Sequence, residues 1–319
     1  MRNQRPADPL VSLVVPVLNE EKCVKEFFER SQTALTSAGT RFEIVMIDDG
    51  STDGTREMIL ALRRSHPELK SIHFTRNFGH QAALMAGMEF AKGDLVITLD
   101  GDLQHPPEKI PEMIERWRGG SDVVQCRRIE TGRTTHGIKE ATSQLFYKVM
   151  NLISTVELAS AGADFRLIDR RVVDELNRLE ERFTFVRGLV PWMGFKETQL
   201  DYRPEKRFAG RTKYSSFRMF SLAFDGVFSF SSFPLRLISL LGLSTTIFGI
   251  VFGIFWLVSY MLGRVEGSGW TSLVILVLTF GGVQLLSIGI ASEYIGRIYA
   301  EVKKRPRYIV ESTQGIDEP

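Results

Sequence analysis

The stretch that decides the fold is LVITLDGDLQHPPE, at residues 95–108. Its first five residues form a short apolar run that predicts a buried β-strand, and two carboxylates, Asp100 and Asp102, follow where that strand ends. Pro106 and Pro107 then predict the start of a helix, because proline fits the first helical turn. A buried strand, a polar turn and a helix in this order are typical of one unit of an α/β sheet.

The same alternation extends on both sides of this stretch. Apolar runs predict further strands at 11–17, 42–47, 70–75 and 123–126, and helical spacing predicts helices at 20–35, 81–91 and 106–117. Asp53 precedes another helical pattern and is its predicted N-cap. This order predicts a mostly parallel, Rossmann-like α/β sheet with helices on both faces, whose ligands bind at the carboxyl ends of the strands.

The usual phosphate-binding loops are missing from those strand ends. Neither GxGxxG nor GxxxxGK[ST] occurs anywhere in the chain. A phosphate-bearing ligand must then be neutralised in another way, and a divalent cation is the candidate. Asp100 and Asp102 can converge on a hard cation, with Gln104 adding a neutral oxygen. Mg²⁺ or Mn²⁺ held in this way keeps coordination positions open for a diphosphate.

A second acidic pair, Asp48 and Asp49, follows the strand at 42–47 in the sequence DDGSTDGT. One of these carboxylates can accept a hydrogen bond from a nucleobase while the other braces the loop. The alternative is that both aspartates only form the turn, with Asp53 capping the next helix. The sequence leaves both interpretations open.

The overall composition excludes several classes of protein. Lys and Arg total 40 and Asp and Glu total 38, so the net charge of +2 gives none of the basic field that is typical of nucleic-acid binders. The two cysteines, Cys23 and Cys126, are far apart, which excludes a disulfide scaffold and a structural zinc site. They indicate a reducing, cytosol-facing environment.

Two uncharged runs of 26 residues, at 237–262 and 267–292, predict membrane-spanning helices. As helices they would be roughly 39 Å long, enough to cross a hydrocarbon core of about 30 Å. The short connector makes them an antiparallel hairpin. By the positive-inside rule, the basic residues outside the hairpin place the N-terminal part and both termini on the cytoplasmic side of the inner (plasma) membrane. Those residues are Arg218, Arg236, Arg297, Lys303, Lys304, Arg305 and Arg307. No signal peptide is expected, because the first residues carry charges and no apolar core.

These patterns predict four parts: a cytosolic α/β domain at 1–213, an interfacial amphipathic helix at 214–235, a hairpin at 236–296 and a cytosolic basic segment and tail at 297–319. The spans lie at about 237–262 and 270–292, and the short tail at 312–319 is expected to be disordered. The Phe-rich stretch 214–235 lies in the membrane interface, or alternatively packs on the α/β domain as a linker. Gly249 and Gly253 form a GxxxG motif that favours a homo-oligomer, although glycine is common in membrane helices.

Several motifs together resemble a known family. PVLNEE, DDGSTDGT, RNFGHQAAL and LDGDLQHPPE, in this order, are similar to those of glycosyltransferases with the GT-A fold. GADFRLIDRRVV, FVRGLVPWMGFK, GRTKYSSFRMF, the two spans and EYIGRIYAEVKKRPRYIV narrow the resemblance to bacterial polyprenyl-phosphate glycosyltransferases, relatives of dolichol-phosphate mannose synthase. The resemblance extends over about residues 10 to 311 and is closest to the undecaprenyl-phosphate glucosyltransferase type.

The resemblance implies inverting transfer of a sugar from a UDP-sugar to a membrane polyprenyl phosphate such as undecaprenyl phosphate. UDP-glucose is the leading donor, with GlcNAc, mannose or a modified pentose as alternative sugars. By motif position the implied nucleotide-sugar-binding residues are Pro16, Leu18, Glu20, Asp48, Asp49, Arg76, Asp100 and Gly101. The metal ligands are Asp100, Asp102 and Gln104, and the catalytic residues are Asp164 and Asp102.

The acceptor phosphate is expected at basic residues. Arg207, Arg211 and Lys213 occupy the family's basic segment, and Arg127 and Arg128 at the end of the fifth strand are further candidates. Relatives often carry an acidic residue and serine where this chain has Arg211 and Thr212, so the assignment there is open. A phosphate monoester is already largely ionised at pH 7, so Asp164 can orient a substrate instead of acting as a base.

Two other functions fit parts of the sequence. A processive polysaccharide synthase would carry a QxxRW motif and usually more spans, and Arg116-Trp117 lacks the preceding glutamine. A non-catalytic nucleotide-sugar sensor or membrane scaffold would gain nothing from the paired carboxylates Asp100 and Asp102. The missing QxxRW motif and the presence of the paired carboxylates therefore favour the polyprenyl-phosphate glycosyltransferase over these two alternatives.

Overall fold

The computed structural model describes residues 5–129, 164–179, 181, 185–205, 233–263 and 269–316. The chain divides into two compact units. The first comprises Met1–Ser221 together with Pro306–Pro319, and the second comprises Leu222–Arg305. Of the predicted interfacial helix at 214–235, residues 214–232 lie outside the described residues, and the last three begin the first helix of the second unit.

The first unit is built on an eight-stranded sheet. Its strands are β1 (Leu10–Val17), β2 (Arg41–Asp48), β3 (Leu69–Phe74), β4 (Leu95–Thr98), β5 (Val123–Arg128), β6 (Arg166–Asp169), β7 (Glu197–Tyr202) and β8 (Val310–Gln314), in the spatial order β7-β5-β6-β4-β1-β2-β3-β8. The central strands β4, β1, β2 and β3 are parallel, with Leu13 opposite Ile44 and Ile97 in the register. β6 and β8 run antiparallel to their neighbours, and β5 pairs in parallel with β7. The central strands therefore form the parallel α/β sheet that the alternation predicts, and the antiparallel β6 and β8 make the whole sheet mixed.

Six helices of this unit fall within the described residues. They are α1 (Glu21–Ser37), α2 (Thr55–Ser65), α3 (His80–Phe90), α4 (Ile110–Arg118), α5 (Arg170–Arg178) and α6 (Val186–Trp192), with a 3₁₀ turn at Pro107–Lys109 before α4. The N-cap of α2 is Gly54, one residue later than predicted, and the Asp53 carboxylate accepts the backbone N–H of Thr55 at 3.1 Å.

The core lies around the central strand β1. From Val11 to Val17 every residue of this strand is buried, because neighbouring strands pair on both edges and helices cover the faces. α1 supplies an apolar face that includes Phe27 and Phe28, both fully buried. Burial of each such side chain contributes about 1.5–3 kcal/mol. This packing holds the carboxyl ends of β1, β2 and β4 in fixed positions.

Residues 312–314, in the tail for which the sequence predicts disorder, belong to a β-strand. β8 pairs antiparallel with β3, from Ser71 opposite Gln314 to Phe74 opposite Val310. The Arg56 guanidinium donates to the carboxylate of Glu311 at 3.0 Å. The prediction failed because VESTQ is polar and lacks an apolar run, so its pairing depends on the free edge of β3, which is distant in sequence.

The second unit contains two long apolar helices, α7 (Phe233–Met261, 29 residues) and α8 (Trp270–Val302, 33 residues). Both are long and apolar enough to cross a membrane, with mean hydropathies of 2.2 and 2.3 in their spanning windows. α8 continues ten residues beyond the predicted end of the span at 292. A Cβ at Gly249 would lie 3.7 Å from the Phe280 ring, so part of the GxxxG face packs within the hairpin.

Candidate active site

Polar loops meet at the carboxyl ends of the central strands of the first unit. The backbone N–H of Asp49, after β2, donates to the carbonyl of Val17 at the end of β1, at 3.0 Å. The loop after β2 also packs tightly against the loop after β3. A Cβ at Gly50, whose φ is +71°, would lie 2.5 Å from the carbonyl carbon of Arg76, so only glycine fits there. The strand ends are thus joined into one rigid edge.

The loop after β4 holds the predicted metal ligands in a sharp turn. Leu103 has a φ of +61°, a conformation that costs roughly 1–2 kcal/mol for a residue with a Cβ. Its side chain is buried in the core, which offsets that cost. Within the turn, the backbone N–H of Gln104 donates to the Asp102 carboxylate at 3.1 Å.

Asp100 is held by two histidines. His105 Nε2 lies 3.2 Å from Asp100 Oδ2, and His105 Nδ1 lies 2.8 Å from the hydroxyl oxygen of Tyr202 at the end of β7. His80 Nε2, at the start of α3, lies 3.4 Å from Asp100 Oδ1. Burial raises the pKa of Asp100, but the bond from His105 and the nearby imidazoles outweigh burial and hold this pKa below its ordinary value. Asp100 therefore remains a carboxylate.

The arrangement fits a divalent cation that is completed by substrate. Asp100 Oδ1 is buried and accepts no hydrogen bond from the described part of the chain, because His80 Nε2 approaches it only to 3.4 Å, so this oxygen keeps a lone pair for a ligand. Among the residues that the structure describes, no group of three or more His, Cys, Asp or Glu side chains is arranged to hold a metal ion. Two carboxylates and an amide would hold Mg²⁺ or Mn²⁺ weakly unless substrate phosphates supplied further ligands.

Asp164 is the centre of a buried charge cluster. Its side chain is 1% exposed, and Arg187 donates to both carboxylate oxygens, at 2.9 and 2.8 Å. His80 Nε2 at 3.0 Å and Gln81 Nε2 at 3.3 Å approach the same carboxylate. Burial raises the pKa of Asp164, but the bond from His80 and the guanidinium of Arg187 outweigh it and hold this pKa far below its ordinary value. A carboxylate that is so well satisfied is a poor proton acceptor.

Sequence analysis missed His80 and Arg187 as site residues. His80 connects two predicted site residues, since its Nε2 faces both Asp100 and Asp164. His80 lies in the motif RNFGHQAAL and Arg187 in the motif FVRGLVPWMGFK, and both motifs carry the family resemblance. Membership in these motifs was the sequence signal that could have identified the two residues. Their convergence depends on tertiary packing, because 84 residues separate His80 from Asp164.

Asp48 and Asp49 both brace loops. Asp48 Oδ1 accepts the backbone N–H of Ser51 at 2.9 Å, and Asp49 Oδ1 accepts that of Phe78 at 2.7 Å. Burial raises the pKa of Asp48, but bonds from His73 and Ser51 outweigh it and lower the pKa. Burial raises the pKa of Asp49. A nucleobase contact by either aspartate stays a prediction.

A row of Ser71, His73 and Asp48 has the chemistry of a hydrolytic triad but is inaccessible. Ser71 Oγ lies 3.0 Å from His73 Nε2, and His73 Nδ1 lies 3.2 Å from Asp48 Oδ2. Ser71 and His73 have no exposed surface, and β8 covers the edge of their strand. A nucleophile needs access to substrate, so this row only positions Asp48.

The remaining predicted residues are spread around the strand ends. Pro16 is buried in β1, Leu18 and Glu20 follow it half-buried, and Gly101 is buried beside Val17. Arg76 is exposed and lies over the Phe78 ring, 4.1 Å from its centroid. Arg127 pairs with Asp201 at 2.7 Å, and Arg128 next to it is exposed. Arg207, Arg211 and Lys213 lie outside the described residues.

Comparisons with known proteins point to one family. The sequence model described as "Glycosyl transferase family 2" matches residues 12–176. The SfII prophage-derived bactoprenol glucosyl transferase of Shigella flexneri is 40% identical over 304 residues, which cover 95% of this chain and 98% of the relative. The prophage bactoprenol glucosyl transferase homolog of Escherichia coli (strain K12) is 39% identical over 302 residues, covering 94% and 98%.

Solved structures give a weaker likeness. The mannosyltransferase PcManGT from Pyrobaculum calidifontis, in complex with GDP-Man and Mn²⁺, matches with a TM-score of 0.45 and 14% identity over 90% of this chain and 87% of the other. This likeness carries no conclusion about ligands. The family model and the identity to curated relatives over nearly the whole chain confirm the resemblance that the motifs indicate. The chain belongs to glycosyl transferase family 2, as a glycosyltransferase of the polyprenyl-phosphate type with a GT-A-like mixed α/β domain.

Proposed function

We propose that the protein transfers glucose from UDP-glucose to a membrane polyprenyl phosphate such as undecaprenyl phosphate, with inversion, on the cytoplasmic face of the plasma membrane. The observation that carries this proposal is the half-buried Asp100 carboxylate just after β4, whose Oδ1 accepts no hydrogen bond from the described residues, with Asp102 two residues later. The identity to bactoprenol glucosyl transferases over 95% of the chain supports the acceptor and the sugar.

The donor diphosphate needs a positive partner, and the described strand ends offer few basic side chains for it. Asp100, Asp102 and Gln104 would hold Mg²⁺ or Mn²⁺ there. The cation would supply charge neutralisation for the leaving diphosphate. The half-buried Leu18 and Glu20, with Asp48, Asp49, Arg76, Pro16 and Gly101, would form the nucleotide pocket at the ends of β1, β2 and β4.

The acceptor chemistry requires no general base from the protein. A phosphate monoester is largely ionised at neutral pH, so its oxygen can attack the anomeric carbon directly. That oxygen forms the new bond to C1 while the C1–O bond to the diphosphate breaks, releasing UDP. Asp164, saturated by Arg187 and His80, would fix the geometry of the site as a carboxylate and not receive a proton. The acceptor phosphate would bind at Arg127, Arg128, Arg207, Arg211 and Lys213.

The chain connections support the proposed topology. The chain passes from the first unit into the second after Ser221 and returns to the first at Pro306, where it continues to β8. If α7 and α8 cross a membrane, both of their outer ends must therefore lie on one side. The basic residues at those ends favour the cytoplasmic side. A homo-oligomer through the GxxxG motif stays a prediction.

A donor panel tests this function. Purified enzyme in proteoliposomes containing undecaprenyl phosphate is incubated separately with UDP-glucose, UDP-GlcNAc, GDP-mannose and a UDP-pentose, and the lipid product is identified by mass. We expect a lipid product of one added hexose with UDP-glucose. If only another donor gives a lipid product, the transferred sugar is that donor's sugar and not glucose. If free sugar is released and no lipid product forms, the proposal that a polyprenyl phosphate is the acceptor is refuted.

A further inference from the structure

A buried tyrosine that sequence analysis did not select reaches Asp100 through one histidine. Tyr202, the last residue of β7, is 1% exposed, and its hydroxyl oxygen lies 2.8 Å from His105 Nδ1. The other ring nitrogen of His105, Nε2, lies 3.2 Å from Asp100 Oδ2. The two contacts place the three side chains in a row, in the order Tyr202, His105 and Asp100. The row connects β7 to the loop that follows β4.

The direction of each hydrogen bond in this row follows from its two ends. Asp100 is a carboxylate and can only accept, so His105 Nε2 carries a proton and donates it to Oδ2. A tyrosine hydroxyl is protonated at neutral pH, and burial raises the pKa of Tyr202 further. When this hydroxyl donates to Nδ1, it selects the neutral imidazole whose proton is on Nε2. Tyr202 thereby fixes the tautomer of His105 that donates to Asp100.

Aromatic packing fixes the orientation of the rings in the row. His105 lies 5.4 Å from Tyr202 and 5.5 Å from Phe165, measured between ring centroids, and Phe165 lies 5.4 Å from Tyr202. Phe165 is fully buried, and the His105 side chain is 9% exposed. Three rings in mutual contact restrict one another's rotation. The imidazole is therefore held with Nε2 toward Asp100.

The row gives the two oxygens of Asp100 different environments. Oδ2 is bonded to His105, whereas Oδ1 is buried and accepts no hydrogen bond from the residues that the structure describes. A carboxylate with one oxygen bonded cannot rotate freely, so the direction of the other oxygen is fixed as well. Partners that orient a metal-binding carboxylate in this way typically change metal affinity by about 10–100-fold when they are removed.

Packing alone does not account for the Tyr202 hydroxyl. A phenylalanine would fill the same aromatic cluster, as Phe165 does, and would bring no polar group into the interior that needs a partner. Within the described part of the chain, the hydroxyl has His105 as its hydrogen-bond partner. What the hydroxyl adds to the packed ring is this bond.

We infer that Tyr202 is a positioning residue for the donor side of the reaction: through His105 it holds Asp100 with Oδ1 directed to the cation that binds the UDP diphosphate. This inference rests on the proposed function, because Asp100 is a metal ligand only in that proposal. Tyr202 acts through His105 and not by direct contact with a substrate.

Mn²⁺ binding in the presence of UDP tests this role without turnover. The full-length enzyme in detergent is titrated with Mn²⁺ at saturating UDP, and bound Mn²⁺ is measured by electron paramagnetic resonance against a protein-free UDP blank. We expect Tyr202→Phe to raise the Kd for Mn²⁺ on the order of tenfold. Tyr308→Phe is the matched control and should leave this Kd unchanged, because the Tyr308 hydroxyl donates to Glu89, near the end of α3, at 2.6 Å.

A double variant tests whether Tyr202 acts through His105. In His105→Gln, the side-chain amide can donate to Asp100 without a bond from Tyr202. Addition of Tyr202→Phe to His105→Gln should therefore cause no further rise in the Kd for Mn²⁺. A further rise as large as that in the wild-type background would overturn the inference, because the effect of Tyr202 would not pass through His105.

Nitrogen-15 magnetic resonance of the histidine rings tests the row independently of the metal. The chain has five histidines, and the signals that disappear in His105→Gln belong to His105. We expect Nδ1 of His105 to carry no proton in the wild type and to change its shift in Tyr202→Phe. A protonated Nδ1 would overturn the inference, because His105 would then donate to Tyr202.

The metal titration has its own contradicting results. The same Kd for Tyr202→Phe and the wild type, or an equal rise in Tyr308→Phe, would overturn the inference. If the wild-type enzyme binds no Mn²⁺ with UDP present, the metal assignment of the proposed function fails. The nitrogen-15 spectra still decide in that case whether Tyr202 orients His105 toward Asp100.

Discussion

Removal of the Arg187 side chain should leave a buried charge without its main partner. Arg187 donates two charge-assisted hydrogen bonds to Asp164, at 2.9 and 2.8 Å, and Asp164 is 1% exposed. Such bonds contribute about 1.5–3 kcal/mol each, and breaking a buried ion pair costs about 3–5 kcal/mol. His80 and Gln81 still contact the carboxylate, so we expect Arg187→Met to cost about 3 kcal/mol, the lower end of that range.

Thermal unfolding of the detergent-solubilised enzyme measures this effect. For a unit of this size, 1 kcal/mol shifts the midpoint by about 2–4 °C, so Arg187→Met should lower it by about 6–12 °C. Arg171→Met is the matched control, since Arg171 pairs with Asp122 and Asp169 but is 44% exposed and should cost less than about 1 kcal/mol.

A second variant tests the cause. If the uncompensated carboxylate is responsible, Asp164→Asn in the Arg187→Met background should cost less than the sum of the two single changes. Neutral Asn needs no counter-charge from Arg187, and the remaining cost is that buried Arg166 loses Asp164 as its partner. Sugar transfer should fall in Arg187→Met as well, since His80 loses part of the cluster that orients it toward Asp100. Equal midpoints for Arg187→Met and Arg171→Met, or strict additivity in the double variant, would refute the reasoning.

Three further predictions follow from other parts of the first unit. Asp102→Asn should reduce transfer by about 10²–10³-fold at an unchanged thermal midpoint, and wild-type activity that persists in EDTA would contradict the metal assignment. Burial raises the pKa of Glu43, but bonds from Lys70, Ser12 and the Lys92 backbone outweigh it and lower the pKa. The midpoint difference between wild type and Glu43→Gln should therefore be full above pH 5 and shrink as pH falls below about 4.3. Deletion of 310–319 should lower the midpoint and cause aggregation in size-exclusion chromatography, because it exposes the edge of β3; a monodisperse, equally stable protein would contradict this.

The central part of the fold could be predicted because its signals are local. The buried run at 11–17 and the observed β1 at Leu10–Val17 differ by one residue, and the strand at 123–126 extends to Arg128. β6 escaped prediction because RLID places two charged residues in a four-residue strand. Arg166 is tolerated there, 2% exposed, because Asp164 lies 3.6 Å away. Such compensation between charges is not visible in a local pattern.

The candidate site also has a part that local sequence predicts and a part that depends on long-range contacts. The proximity of Asp100, Asp102 and Gln104 could be predicted because they follow one strand in one loop, and the structure keeps them in one turn. Their role as metal ligands stays a prediction. The contacts of His80 and Arg187 depend on the tertiary packing that brings the first turns of α3 and α6 to Asp164, two residues before β6, and periodicity does not reveal this. The ion pair between Arg30 and Glu205 likewise joins residues 175 positions apart in the sequence.

Nuclear magnetic resonance of the isolated lipid product is the most direct test of the central claim, which is inverting transfer of a sugar to a lipid phosphate. UDP-glucose carries an α-linked glucose, so attack by a phosphate oxygen on C1 gives a β-linked glucosyl phosphate. We expect the anomeric proton to couple to phosphorus and to show the large coupling to H2 that is typical of the β configuration. An α-configured product would contradict inversion, and an anomeric proton without phosphorus coupling would contradict the lipid phosphate as acceptor.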